Sequence, residues 1–229
     1  MQAKLANRKR SDRARRPLAA LFGLLCVQVF SQAPAKSSLE EVTADMPPIT
    51  TSAFSVTPPK GENWVYFQRS MPPFVTFRKQ DPLIRRLPGS EHHAFVVEIR
   101  LEHFPENDLA TQEGLEETLK STLYSALGEG RQIGMFRAQS FAWQGTDCLS
   151  YIVTRSDPVT LDRERIVLEF ATEGFFCRHP VDRQRVVSGL FQERRLGGTP
   201  SRLDDALRDE AQRSLQSVRF LPAKDDALD

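Results

Sequence analysis

Cys177 and His179 are the residues of this chain whose types and spacing could do chemistry. A thiol two residues from an imidazole could serve as a nucleophile with its base, or the two side chains could bind a metal ion. A thiol nucleophile also needs a third group that orients its base, and the sequence displays none. We therefore predict no catalytic residue and keep Arg178 and His179 as weak site candidates. A Cys- and His-dependent or metal-dependent hydrolase remains an alternative.

The other histidines offer little for a metal site. His93 and His103 lie near opposite ends of one predicted strand, about 33 Å apart at ~3.3 Å per residue, which is too far to share an ion. The sequence has no His-Glu-x-x-His, Cys-x-x-Cys or His-x-His arrangement. It also has no Walker loop, no dinucleotide-binding Gly-x-Gly-x-x-Gly and no Gly-x-Ser-x-Gly of serine hydrolases. We expect neither a metal nor any other cofactor.

The first 35 residues have the order of a secretory signal peptide. A basic stretch ends at residue 16, fourteen uncharged residues follow (17–30), and Ala-Pro-Ala at 33–35 supplies small residues for cleavage. The uncharged run is shorter than the ~20 residues of a membrane-spanning helix. We therefore predict an exported, periplasmic protein with no stable transmembrane span after cleavage. A lipid anchor on Cys26, a secreted form and the twin-arginine export route remain open.

Removal of the signal peptide changes the charge of the protein. Residues 1–35 hold seven of the 31 basic residues and one of the 30 acidic ones, so the remainder has 24 basic and 29 acidic residues and a net charge of −5. A nucleic-acid-binding protein normally presents a basic surface to the phosphates. We therefore expect no nucleic-acid partner, and an envelope protein or a small ligand instead.

Cys148 and Cys177 are the two cysteines that remain after cleavage. In an exported protein such a pair most simply forms a disulfide. If the two strands that carry them turn at Asp162 and Arg163, facing residues have numbers that add up to 325, and the two cysteines meet this condition. The closed loop of 30 residues would stabilise the fold by roughly 3 to 4 kcal/mol in the chain-entropy model.

The elements that must position these residues form an α+β pattern. Strands are predicted where apolar and polar residues alternate, or where β-forming residues cluster between turn residues. They lie at about residues 64–68, 74–79, 95–101, 135–143, 148–155, 166–176 and 186–191. Because the strands occur in runs, we expect a largely antiparallel sheet of about six to seven strands with two packed helices.

The two helices are predicted from apolar residues that recur every three or four positions. The first begins near Asp108 or Thr111 and ends near residues 128–130. The second opens at Ser201 with Asp204 three residues later, a pair that resembles a capping box. The apolar stripes are Leu115, Leu119, Leu123 and Leu127 in the first helix, and Leu203, Leu207, Ala211, Leu215 and Val218 in the second.

The chain therefore divides into four predicted parts. A signal peptide (1–35) is followed by a linker rich in Pro, Ser and Thr (36–61), in which no apolar repeat is long enough for a helix or strand. The α+β domain covers residues 62–222. Residues 223–229 are predicted to be a disordered tail.

Residues 174–180, Gly-Phe-Phe-Cys-Arg-His-Pro, resemble a step found in an uncharacterised family of exported proteobacterial proteins and lipoproteins. The resemblance covers about residues 62–221. The closing helix and the Val-Arg-Phe at 218–220 resemble, more loosely, the α/β/α sandwich of PsbP-like proteins. The resemblance implies that sandwich for the fold and no established activity.

These observations favour a non-enzymatic exported protein that acts as an accessory or binding protein of unknown ligand. The hydrolase above is one alternative. A carrier of a small apolar ligand, held between sheet and helices, is another, and it would need a cavity there.

Overall fold

The computed structural model of the protein describes residues 38–68, 74–80, 92–125, 131–161 and 163–222. All of them lie in one compact unit, Lys36–Asp229. The predicted signal peptide and the predicted tail at 223–229 lie outside the described residues.

Within the described residues, eight antiparallel strands form the main sheet, in the order β1-β4-β5-β6-β10-β9-β8-β7. Their alternating side chains give the sheet two faces, and two helices pack on it. The strands are β1 (Ser38–Glu41), β4 (Trp64–Gln68), β5 (Phe74–Lys79), β6 (Ala94–His103), β7 (Gln132–Trp143), β8 (Thr146–Leu161), β9 (Glu164–Arg178) and β10 (Arg185–Leu196).

A second, small sheet joins distant parts of the chain. Its order is β11-β3-β2, with β2 at Ile49–Thr50, β3 at Phe54–Val56 and β11 at Arg219–Phe220. The helices are α1 (Gln112–Ser125) and α2 (Asp205–Gln216), with a 3-10 turn at Glu106–Leu109. The α+β class is thus confirmed, but the predicted count of six to seven strands is too low, because the main sheet has eight. Neither described helix is both long and apolar enough to cross a membrane.

The predicted linker is where the structure differs most from the sequence analysis. Within residues 36–61, β1 pairs with β4, placing Leu39 opposite Phe67, and β3 pairs with β11. Phe54 and Val56 are buried in the core. These strands are two to four residues long, too short to show a period, and their partners are remote in sequence. The described part of the folded domain therefore begins at Ser38, and not at residue 62 as predicted.

The β8–β9 register is as predicted. Cys148 lies opposite Cys177, and Leu161 lies opposite Glu164 across the turn. The strand predicted at about 148–155 is longer than expected, because β8 runs through Asp157 and Pro158 to Leu161. β7 begins opposite Ser156, so beyond that residue the described neighbour of β8 is β9 alone. A proline, which lacks an N–H, is tolerated on such an edge.

Each face of the sheet has its own core. On the face covered by α2, called the α2 face, the core contains Trp64, Phe95, Phe191, Ala211 and Leu215 together with the buried part of β3. On the opposite face, called the α1 face, residues of α1 pack on β8, β9 and β10. The predicted stripes face these cores through Leu115 and Leu119 in α1 and Leu207, Ala211 and Leu215 in α2. Leu127 and the predicted end of the first helix at 128–130 lie outside the described residues.

The helix starts differ in how well they were predicted. Thr111 Oγ1 accepts a hydrogen bond from the Gly114 N–H at 3.0 Å, and α1 begins at the next residue, as expected. In α2 the N-cap is Asp204, whose carboxylate accepts from the Leu207 N–H at 2.7 Å. Ser201 does not cap the helix, because its hydroxyl donates to Glu193 Oε2 at 2.6 Å.

Candidate functional site

The predicted disulfide is present at the start of β8 and the end of β9. The Cys148 and Cys177 sulfurs are bonded, and their Cα atoms are 4.1 Å apart. Both residues are fully buried on the α2 face. A disulfide-bonded Cys177 has no thiolate, which is the form of cysteine that acts as a nucleophile or as a metal ligand.

His179 holds two segments together. Its ring is buried, with the residue 1% exposed. Nδ1 accepts from the backbone N–H groups of Val181 and Asp182, at 3.3 and 3.1 Å. Nδ1 therefore has no proton, so Nε2 carries it and donates to the Leu221 carbonyl at 3.0 Å. Both ring nitrogens are thus engaged with the backbone, one at the β9–β10 connection and one after β11.

Arg178 serves a similar linking role on the α1 side. Its guanidinium contacts the Asp147 carboxylate at 3.2 Å and the Thr111 carbonyl at 3.4 Å. These contacts join the end of β9 to the start of β8 and to the N-terminus of α1. The three residues of the Cys-Arg-His step therefore point to three different parts of the fold, and the structure does not bring them together around one cleft.

A buried acid that the sequence analysis did not single out lies at the other end of the α2 face. Glu193 is 1% exposed. Its Oε1 is 2.8 Å from both His93 Nε2 and the Arg202 N–H, and Ser201 donates to Oε2. The carboxylate thus separates the hydroxyl from the imidazole, so the serine has no imidazole base as in a hydrolase triad. This cluster fixes the loop before α2 to the sheet.

No three His, Cys, Asp or Glu side chains among the described residues are grouped in a way that could hold a metal ion. His93, considered with His103 in the sequence analysis, is occupied by Glu193. His103 is exposed at the end of β6.

A groove of about 800 Å³ lies on the α2 face, between α2 and the strands β7, β8, β9 and β10. We call it the groove. Helix α2 covers the sheet near β10 and β6, and the groove forms where β7 and β8 extend past it. Its apolar lining includes Phe141 and Trp143 of β7, Ile152 of β8, Phe175 of β9, Phe191 of β10 and Leu215 of α2. Phe141 and Ile152 are 38% and 43% exposed.

One end of the groove is closed by aromatic rings. Trp143 makes edge-on contacts with Phe175, at 5.0 Å between ring centroids, and with Phe220, at 5.4 Å. The neighbouring Gln144 donates to the Val218 carbonyl at 2.8 Å and accepts from the Phe220 N–H at 3.2 Å. These bonds tie the β7–β8 turn to the segment after α2 and hold Trp143 in place.

Glycine at position 189 shapes the floor of the groove. The ring of Phe175 lies over Gly189, where an added Cβ would come within 2.3 Å of a ring carbon. Directly across β8 and β7 from Phe175 lie Ser150 and Gln139, both exposed. Because Gly189 has no side chain, the Phe175 ring can lie flat over β10, and the small Ser150 beside it adds little bulk to the floor of the groove.

The polar lining carries two charges in one row of the sheet. Arg137 lies opposite Ile152, and Ile152 lies opposite Glu173. Glu173 is held from α2, by Arg208 at 3.3 Å and by Gln212 at 3.5 Å. Arg137 is exposed, and within the described residues its guanidinium has no ion-pair or hydrogen-bond partner.

The groove was not predicted from the sequence. The available signal was in β7, where Met135 and Phe136, and later Phe141, Ala142 and Trp143, place apolar side chains on both faces of one strand. A strand at the edge of a sheet normally shows a polar face, so this pattern indicates an apolar surface beyond the core.

No model of a known protein family and no curated protein matches this chain. Among solved structures, the chain is similar to the solution structure of cyanobacterial PsbP (CyanoP) from Synechocystis sp. PCC 6803. The two share 12% sequence identity, the match covers 77% of this chain and 97% of that chain, and the TM-score is 0.35. The likeness is a loose one of overall fold, and membership of the exported proteobacterial family remains a prediction.

Proposed function

We propose that the protein is a non-enzymatic, exported binding protein that holds a small ligand with an apolar body in the groove. The observation that carries the proposal is the groove itself. Its volume of about 800 Å³ is within the range of ~300–1,000 Å³ found for small-molecule sites. Its mixture of aromatic walls and a few polar groups is also typical of such sites.

Export is supported by the sequence and by the disulfide. The order of basic, apolar and small residues at the N-terminus is that of a secretory signal. Disulfides persist in oxidising compartments, and Cys148 and Cys177 are bonded. A periplasmic location fits both observations.

The hydrolase alternative gains less support. A thiol enzyme would need Cys177 reduced, whereas the residue is disulfide-bonded and fully buried. A base at His179 would need a free ring nitrogen, whereas both nitrogens are hydrogen-bonded to the backbone. Ester turnover that is lost in a His179→Asn variant would favour this alternative over the binding protein.

The binding proposal can be tested with N-phenyl-1-naphthylamine, an uncharged fluorescent probe. We expect its fluorescence to rise on binding and the emission of Trp143 to change, while the buried Trp64 responds little. Phe141→Ser and Ile152→Ser should each raise the Kd about three- to tenfold, because each removes an apolar side chain from the wall. Both side chains are partly exposed, so the variants should fold.

Val181→Ser is the matched control. Val181 is an exposed apolar residue outside the groove lining, on the β9–β10 connection. Its substitution should leave the Kd unchanged. Absence of probe binding, or equal weakening by all three substitutions, would refute the groove as the ligand site.

A further inference from the structure

Arg137 stands at the open end of the groove as an unneutralised cation. Glu173 lies two strands away in the same row, yet its carboxylate is engaged by Arg208 and Gln212 of α2. Within the described residues nothing pairs with the Arg137 guanidinium. The carboxylate in this row is therefore committed to α2, and in the described part of the chain the charge of Arg137 is left without a partner.

The opposite end of the groove is apolar and closed. Trp143 is six residues from Arg137 along β7, which corresponds to about 20 Å at ~3.3 Å per residue. Side chains on this face between the two residues are Gln139 and Phe141, so the strand passes from a charge, through an amide, to aromatic rings. The groove thus has a polar end and an apolar end.

From this polarity we infer that the ligand is an amphipathic monoanion, with an elongated apolar or aromatic body and one oxyanion group such as a carboxylate or sulfonate. The body lies along Phe141, Trp143 and Leu215, and the oxyanion accepts hydrogen bonds from Arg137. Guanidinium groups bind oxyanions such as carboxylates and phosphates with two parallel hydrogen bonds, and a sulfonate offers a similar pair of oxygens. This inference rests on the proposed function and adds the charge of the ligand to it.

A pair of probes that differ in one group tests the inference. 8-Anilinonaphthalene-1-sulfonate and N-phenyl-1-naphthylamine share the same rings, and only the first has a sulfonate. We expect the sulfonate to bind more tightly at low salt, with Trp143 emission changing in both titrations. Added NaCl should raise the Kd of the sulfonate and leave the Kd of the neutral probe unchanged, since salt screens an exposed charge.

Variants of Arg137 assign the effect to one side chain. Arg137→Gln should raise the Kd of the sulfonate about tenfold, the effect of losing one charge-assisted interaction, and change that of the neutral probe less than about twofold. Arg137→Lys should recover part of the loss, because it restores the charge. Arg165→Gln is the matched control, since Arg165 is exposed on β9 far from the groove lining.

The outcomes separate this inference from the proposed function. If the neutral probe binds in the groove, but Arg137→Gln and Arg165→Gln affect the sulfonate equally, the monoanion inference fails and the binding function stands. If the sulfonate binds no better than the neutral probe, the inference fails in the same way. If neither probe binds and Trp143 emission does not change, both fail.

Discussion

Replacement of Glu193 with Gln should destabilise the protein by about 2 kcal/mol at pH 7. The buried carboxylate pairs with His93 and accepts hydrogen bonds from Ser201 and the Arg202 N–H, all at 2.6–2.8 Å. A hydrogen bond to a charged group contributes about 1.5–3 kcal/mol and a neutral one about 0.5–1.5 kcal/mol, so loss of the charge costs about 1 kcal/mol for each of the three. Relief of the cost of burying a charge offsets part of this loss.

The destabilisation should depend on pH in a defined direction. Burial raises the pKa of Glu193, but the hydrogen bonds from His93, Ser201 and the Arg202 N–H, with the attraction of His93, outweigh burial and lower the pKa below its ordinary value. A carboxyl whose pKa falls on folding stabilises the protein above its unfolded pKa of ~4.3, and this stability is lost as the pH drops through the folded pKa. The gap between wild type and Glu193→Gln should therefore be full above pH ~5 and shrink towards pH ~3.

Urea unfolding followed by tryptophan fluorescence at several pH values measures both effects. Ser201→Ala should lose less stability than Glu193→Gln and keep the pH dependence, because the carboxylate remains. Glu164→Gln, at an exposed position at the start of β9, is the matched control and should change neither quantity. A loss for Glu193→Gln below about 0.5 kcal/mol at pH 7, the range of ordinary surface substitutions, would refute the reasoning. The same loss at pH 3 and pH 7 would also refute it.

Three further predictions concern the fold around the groove. Reduction of the disulfide, or joint replacement of Cys148 and Cys177 with Ala, should lower the free energy of unfolding by roughly 3–4 kcal/mol, and equal urea midpoints with and without reductant would contradict this. Gly189→Ala should cost about 1–3 kcal/mol because its Cβ overlaps the Phe175 ring, and Phe175→Leu in the same chain should recover part of the thermal midpoint if that overlap is the cause. His179→Ala should speed amide hydrogen exchange at Val181 and Asp182 and in residues 218–221, which include the Leu221 carbonyl bound by Nε2; unchanged exchange at both places would show that the imidazole does not hold them.

The parts of the fold that sequence could predict are those fixed by local pattern. Strands β4 and β5 have the predicted bounds, because turn residues flank short β-forming runs. The pairing of Cys148 with Cys177 followed from the position of a single turn. The stripe of α2 could be predicted because three of its five apolar residues repeat every four positions within the helix, and the other two flank it.

The remainder depends on contacts between distant residues. β3 is three residues long and pairs with β11 near the other end of the chain, so no local pattern marks it. Ser201 looked like a helix cap, but a buried carboxylate on β10 competes for its hydroxyl. The groove exists because α2 stops short of β7, and a sequence pattern does not specify how far a helix extends over a sheet.

The pairing of β3 with β11 also sets an order of assembly. Strands β7 to β10 follow one another in sequence and form a meander of neighbouring hairpins, whereas the small sheet requires Phe54 to meet Phe220. Contacts that close a long loop form late, because the chain loses conformational entropy on closing the loop before the new contacts stabilise it. We therefore expect the meander to form first and the small sheet last. Because Phe220 also packs on Trp143, the closed end of the groove is completed only in that final step, and the groove should be the first part of the domain to open under mild denaturation.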